Sequence, residues 1–305
     1  MAATTVASDL REALAGALVG KPDVVELTVA AVLAGGHVLV EDVPGVGKTL
    51  LAKALGRAIG GSNGRIQGTA DLLPTDITGV TVFDQGANLW KFRPGPLFAN
   101  VVLVDEINRA TPRAQSALLE AMAERQVTAD GTTYRVPAPF VVIATQNPFG
   151  DVGTFPLGDG QRDRFAVRLT IGLPDRETER ALILGRGGEP ELARLRAVTT
   201  PAELVAAQAE VSQLHLSEPI ADYLLAVVAS VREHPGVSQG PSPRASLVLA
   251  RVARALAALA GRTYVSPEDV QRAAEPVLGH RIATVTARST TIIGEVLARV
   301  AVPVG

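Results

Sequence analysis

The segment Pro44-Gly45-Val46-Gly47-Lys48-Thr49 constrains the fold of this chain more than any other. It follows a short apolar run, His37-Val38-Leu39-Val40, and precedes a helical pattern from about Thr49 to Ile59. Phosphate binding needs this order: a strand, a loop whose N–H groups point inward, a lysine, a hydroxyl, and a helix N-terminus facing the anion. Gly45 and Gly47 permit the backbone angles, Lys48 can reach the β- and γ-phosphates, and Thr49 can ligate magnesium. Candidate nucleotide contacts are therefore Pro44, Gly45, Val46, Gly47, Lys48, Thr49 and Leu50. One departure stands out. The pattern G-x-x-x-x-G-K-S/T places its first glycine at position 42, where this chain has Asp42, so Pro44-Gly45 is expected to make the turn instead. The chain has only four lysines, so a lysine at this place is hard to assign to chance.

Two further apolar runs, Val101-Val102-Leu103-Val104 and Phe140-Val141-Val142-Ile143-Ala144, read as strands of a buried parallel sheet. The first ends in Asp105-Glu106. Beside a phosphate loop, an acidic pair at a strand end implies that Asp105 holds magnesium and Glu106 polarises the attacking water. The second run ends in Thr145-Gln146-Asn147-Pro148, where Asn147 suits either a γ-phosphate contact or a turn. Between the two runs, Thr111 to Arg125 reads as a helix with Pro112 in its first turn. Two hairpins interrupt the alternation: Val80 to Phe83 with Leu89 to Phe92, and Gln126 to Ala129 with Thr132 to Val136 around Asp130-Gly131. By themselves they read as ordinary edge hairpins, and Trp90, the only tryptophan, as a packing residue.

The glycine-rich stretch Gly185-Arg186-Gly187-Gly188-Glu189-Pro190 is the best linker. It divides an α/β core at residues 1–188 from residues 189–305, which read as helices only. Thr200-Pro201-Ala202-Glu203 and Ser266-Pro267-Glu268-Asp269 have the form of helix starts with proline at the first position. The absence of cysteine excludes disulfides and thiolate metal sites, and the four histidines lack metal-ligand spacing. The formal charge of -2 gives no support for a large nucleic-acid surface. No apolar run reaches membrane-spanning length and the N-terminus lacks a secretory pattern, so a cytoplasmic protein is expected.

These segments resemble the MoxR family of AAA+ ATPases. The likeness rests on Glu41 to Thr49, Leu72 to Gly79, Phe92 to Asn100, Asp105 to Ala110, Gln115 to Met122 and Ala144 to Pro148. Asp163-Arg164-Phe165, Ser242-Pro243-Arg244-Ala245 and Ser266 to Val270 extend it, so that it covers about Val19 to Ile282. The resemblance implies an α/β P-loop core with a parallel sheet and two inserted hairpins, followed by an all-α lid. It implies bound ATP and Mg2+, with Thr49 and Asp105 at the metal and Glu106, Asn147, Arg164 and Arg244 as catalytic residues. Asn147 matches sensor 1, Arg164 the finger that reaches a neighbouring subunit's γ-phosphate, and Arg244 sensor 2. Val19 and Gly20 fall where the family packs adenine, and Gln67 where some AAA+ proteins restrain the catalytic glutamate. The family usually reads Pro-Glu-Ala-Gln-Leu before Asp-Arg-Phe. This chain has Gly158-Asp159-Gly160-Gln161-Arg162, which leaves Arg162 as a rival finger. The family implies a homo-oligomeric ring, usually a hexamer, and a chaperone-like action on protein clients, often with von Willebrand factor A domains. The alternatives are a nucleotide-dependent binding switch with slow hydrolysis, favoured by Asp42 and by the altered segment before Arg164, and a nucleic-acid translocase. The translocase reading is opposed by hairpins carrying only Lys91 and Arg135 as basic residues.

Overall fold

Side chains on a strand alternate between faces, so a fully apolar strand must be covered on both. The computed structural model, which describes residues 2–147, 153–285 and 287–303, meets that demand with helices on both sides of one sheet. Helices α1 (Ala2–Ala17) and α2 (Pro22–Leu33) lead into β1 (Val38–Glu41), α3 (Lys48–Ile59) and β2 (Asn63–Gln67). A short α4 (Pro74–Thr78) introduces the hairpin of β3 (Gly79–Asp84) and β4 (Leu89–Pro94). Then come β5 (Val101–Asp105), α5 (Pro112–Glu124), the hairpin of β6 (Gln126–Ala129) and β7 (Thr132–Arg135), β8 (Val141–Gln146), α6 (Asp159–Arg162) and β9 (Val167–Leu169).

The five sheet strands run parallel in the order β2-β5-β8-β1-β9. Val38 and Val40 of β1 face a core with Leu10, Leu14 and Leu55, while Leu39 between them faces the opposite core with Leu118 and Phe165. Five strands of one direction put every loop after β1, β2, β5 and β8 at a single edge, where ligands of open α/β sheets bind. β2 and β9, which the sequence pattern did not reveal, close the two sides of the sheet.

Both expected hairpins form. Asp130 and Gly131 turn with φ of 48° and 76°, as a tight two-residue hairpin loop requires. Phe92 of β4 stacks on Tyr134 of β7 at 4.1 Å between centroids, which locks the two hairpins together. Trp90 corrects its sequence reading: it is 69% exposed and meets the ring of Phe83 at 5.3 Å. The cause is position, since the Phe83–Trp90 pair lies beyond the point where the hairpin rests on the body.

Helices α7 (Arg176–Ile183), α8 (Glu189–Arg194), α9 (Pro201–Ser212), α10 (Glu218–Glu233), α11 (Pro243–Leu259), α12 (Pro267–Leu278) and α13 (Ser289–Arg299) complete the chain. This helical part also carries a two-stranded ribbon of β10 (Val237–Gln239) and β11 (Ala283–Thr284). After α8 the chain still touches the sheet layer, where Val198 N and Thr199 N both donate to Ala58 O. α9 and α11 pack on α1 and α2, so one apolar cluster runs from the sheet into the C-terminal helices.

Candidate functional site

The loop after β1 takes the conformation its glycines imply, with φ of 86° at Gly45 and 104° at Gly47. Asp42 is not among the positive-φ residues, so a side chain is accommodated at the position of the usual first glycine. Its buried carboxylate accepts from Val43 N (2.7 Å) and Gly172 N (2.6 Å), tying the loop to the segment after β9. Lys48 Nζ donates to Asp42 O. Burial lowers the Lys48 pKa, against the opposing pull of Asp42, Glu106 and Asp105.

The acidic pair stands beside this loop. Asp105 Oδ1 lies 3.5 Å from both Thr49 Oγ1 and Thr145 Oγ1, and Thr145 Oγ1 also accepts from Glu106 N at 3.0 Å. Thr49 and Asp105 thus offer adjacent oxygen donors, the type magnesium prefers, and P-loop sites use few protein ligands beside water and phosphate. No cluster of three or more His, Cys, Asp or Glu that could hold a metal exists among the described residues. Arg65 meets the other Asp105 oxygen at 3.0 Å. Glu106 adopts φ of 53° at the start of a 3-10 turn, and its Oε2 accepts from Gln67 Nε2 (3.3 Å) and Arg109 Nη1 (3.1 Å). Asn147 directly follows β8 at the same edge, and its carbonyl lies 3.5 Å from Asn108 Nδ2; Pro148 lies outside the described residues. Arg65, Arg109 and Thr145 were not singled out by sequence. Arg65 lies in no matched segment and is placed by the pairing of β2 with β5, whereas Arg109 and Thr145 fall inside matched segments that gave them no role.

A cavity of about 240 Å³ opens beside the loop, lined by Val19, Gly45, Val46, Gly47 and Leu50 together with Leu18, Thr178 and Leu182. Its walls are mostly apolar, as suits a purine. Gly20 does not line it but makes the turn after α1, where an added Cβ would fall 2.2 Å from Thr178 Oγ1. Thr178 and Leu182, both from α7, were missed because the chain returns to the loop only after β9.

Arg164 and Arg244 lie elsewhere. Ala166 N donates to His37 O at 2.8 Å, at the start of β1, so Arg164 flanks the edge opposite the phosphate loop. The four residues of β1 alone span roughly 13 Å at about 3.3 Å each. Ser242, the N-cap of α11, donates to both Asp163 oxygens at 3.3 and 3.2 Å, which brings Arg244 to the same edge. Arg162 is paired with Asp159, whereas the Arg164 side chain has no hydrogen bond or ion pair among the described residues. The surroundings are cationic. Burial first, and neighbouring guanidinium groups second, hold Arg125 and Arg251 below the usual arginine range, through Arg251 and Arg244 respectively.

A phosphate loop, an adjoining acidic pair and a purine-sized cavity at one sheet edge, with a helical lid behind, define a P-loop ATPase of the AAA+ class. The description "ATPase family associated with various cellular activities (AAA)" matches residues 37–167, and an AAA lid domain matches residues 229–297. The chain is 42% identical to YeaC of Bacillus subtilis over 94% of its own length and 92% of that protein. It is 41% identical to Chaperone MoxR1 of Mycobacterium tuberculosis, covering 87% of this chain and 72% of that one. A crystal structure of a Cytophaga hutchinsonii protein assigned as an ATPase superposes with a TM-score of 0.91 at 31% identity, covering 99% and 96% of the two chains. The chain belongs to the MoxR family of AAA+ ATPases.

Proposed function

We propose that this protein hydrolyses ATP at sites shared between adjacent copies of a homo-oligomeric ring, a hexamer, and uses the turnover to remodel or activate partner proteins. One observation carries the reading: the phosphate loop, Asp105 and Glu106 stand at one edge of the sheet, and Arg164 and Arg244 at the other. An arginine that cannot reach its own nucleotide, set in a cationic face, suits the nucleotide of a neighbour.

In this reading Val19 and Leu50 flank the base, and the loop amides with Lys48 hold the phosphates. Thr49 and Asp105 would hold magnesium, which when bound neutralises charge on the β- and γ-oxygens. Water attacks the γ-phosphorus, the bond to the β–γ bridging oxygen breaks, and Glu106 takes the water proton. Arg164 and Arg244 of the adjacent copy offset the charge that develops. Glu106 must first leave Gln67 and Arg109, which occupy its Oε2. The name of the mycobacterial relative supports a chaperone role, and the exposed apolar hairpin supports protein clients; von Willebrand factor A domains among them rest on the family resemblance alone. That hairpin is a poor phosphate tracker, since Lys91 is already paired with Asp84 at 2.6 Å.

The test is complementation. Glu106→Gln keeps its finger and loses its base, and Arg164→Ala does the reverse. Each alone is expected to lose activity by about 10³-fold or more. Mixed and reassembled, they should recover a sizeable fraction of wild-type turnover, because half of the mixed interfaces are intact. Recovery no greater than the sum of the separate proteins would rule out shared sites.

A further inference from the structure

Arg281 follows the end of α12 and is almost wholly buried, its side chain 1% exposed. Placing a guanidinium in an apolar interior is costly unless every donor is used. Here the donors converge on the segment that bears Arg164. Nε donates to Asp163 Oδ1 at 2.8 Å, and Nη2 to the carbonyls of Asp163 (3.0 Å) and Phe165. Nη1 donates to the carbonyl of Ala166 at 3.2 Å and to that of Val277 in the last turn of α12. The neighbouring His280 adds Nε2 to Phe165 O at 3.1 Å.

The backbone is therefore gripped on both sides of residue 164, while the Arg164 side chain is left without a partner among the described residues. The same Asp163 carboxylate receives Ser242 Oγ from the N-cap of α11, two residues before Arg244. A single carboxylate thus joins three parts of the chain: the segment before β9, the end of α12 and the start of α11.

We propose that Arg281, acting through Asp163, is the positioning residue that fixes Arg164 and Arg244 as one rigid unit presented to the neighbouring nucleotide. The proposal rests on the shared-site reading given above. It makes the C-terminal helices the support of the finger in their own subunit. A rearrangement of those helices in one copy then alters catalysis in the next.

A finger displaced by about 1 Å loses on the order of 100-fold in rate without changing how the nucleotide is bound by the loop. Arg281→Met is accordingly expected to lower kcat by about that factor and to leave KM for ATP within about twofold of wild type. Complementation separates this from general damage. Arg281→Met mixed with Glu106→Gln should regain activity, because its own loop and Glu106 are intact. Mixed with Arg164→Ala it should not, because both proteins are defective on the same face. Should Arg281→Met fail to give folded protein, Ser242→Ala, which deletes one contact to Asp163, is read by the same two mixtures, with a severalfold fall in kcat expected. The proposal is overturned by wild-type kcat in these variants, by a rise in KM matching the fall in kcat/KM, or by recovery with Arg164→Ala. Failure of Glu106→Gln and Arg164→Ala to complement each other would instead sink the shared-site reading beneath it.

Discussion

Asp42 stands where phosphate loops of this pattern carry glycine, and read as sequence alone it counts as a defect. Its carboxylate instead joins the loop to the segment beyond β9 through Val43 N and Gly172 N, and its carbonyl receives Lys48. The support that Asp42 lent to a slow-hydrolysing switch is thereby removed. Asp42→Gly, which restores the usual pattern, is expected to weaken the protein. It leaves two N–H groups without their partner and costs about 2–4 kcal/mol of stability. The melting temperature should fall by several degrees, and nucleotide affinity should fall with it as the loop loses its anchor. A thermal melt and a nucleotide titration of the variant measure both effects, and an unchanged melt would show the carboxylate to be idle. The same lesson holds for Glu106. The motif names it, but its restraint by Gln67 and Arg109 depends on β2 lying beside β5, and on a 3-10 turn that returns Arg109 to it.

Among the elements, those with a strong local signal were legible. β1, β5 and β8 are continuous apolar runs, α5 has its Thr111 cap and Pro112, and the second hairpin has its Asp130-Gly131 turn. β2 and β9 were not legible for a physical reason. At the sheet edges they need little apolar surface, so Asn63–Gln67 buries only Ile66 and β9 is three residues long. The apolar cavity beside the phosphate loop was half legible, since Val19 and Leu50 lie near the loop in sequence whereas Thr178 and Leu182 do not. Trp90 was misread because alternation tells which face a residue takes and not whether that face is covered. Projecting with Phe83, Val82 and Leu89, all at least 40% exposed, it forms an apolar tip. Trp90→Ser removes no buried contact, so stability should change by less than about 1 kcal/mol. Basal ATPase activity should stay at the wild-type level, while any stimulation by a client protein is lost. Client stimulation surviving in Trp90→Ser would place the contact surface elsewhere.

At the scale of the whole molecule, the phosphate loop and the acidic pair stand at one sheet edge and Arg164 and Arg244 at the other, a separation that no single stretch of sequence announces. The arginine-rich edge also bears on stability, because it is built over two buried histidines. His37 accepts from Val142 N through Nδ1, so Nε2 carries the proton and donates to Met122 O. Burial, then Arg125, lowers its pKa to about 3, with the Met122 carbonyl opposing and Arg244 adding to the fall. His280, under Phe165, is held well below the ordinary histidine value by burial, then by Arg281, with Arg168 and Arg162 adding and the Phe165 carbonyl opposing. In both cases the folded pKa lies below the unfolded one, so the unfolded chain binds more protons in between. Stability is complete above about pH 6.5 and declines as pH falls from there toward the folded values. Between pH 6.5 and 5.5 each histidine should cost about 1 kcal/mol, and the pair about 2 kcal/mol, because one continuous apolar cluster makes both titrate with the same unfolding event. Urea unfolding at the two pH values measures the difference, and in His37→Gln, whose amide can accept from Val142 N, about half of it should remain. An unfolding free energy that does not change between pH 6.5 and 5.5 would mean that the histidines under the Arg164 edge are solvated and that this edge is looser than its hydrogen bonds imply.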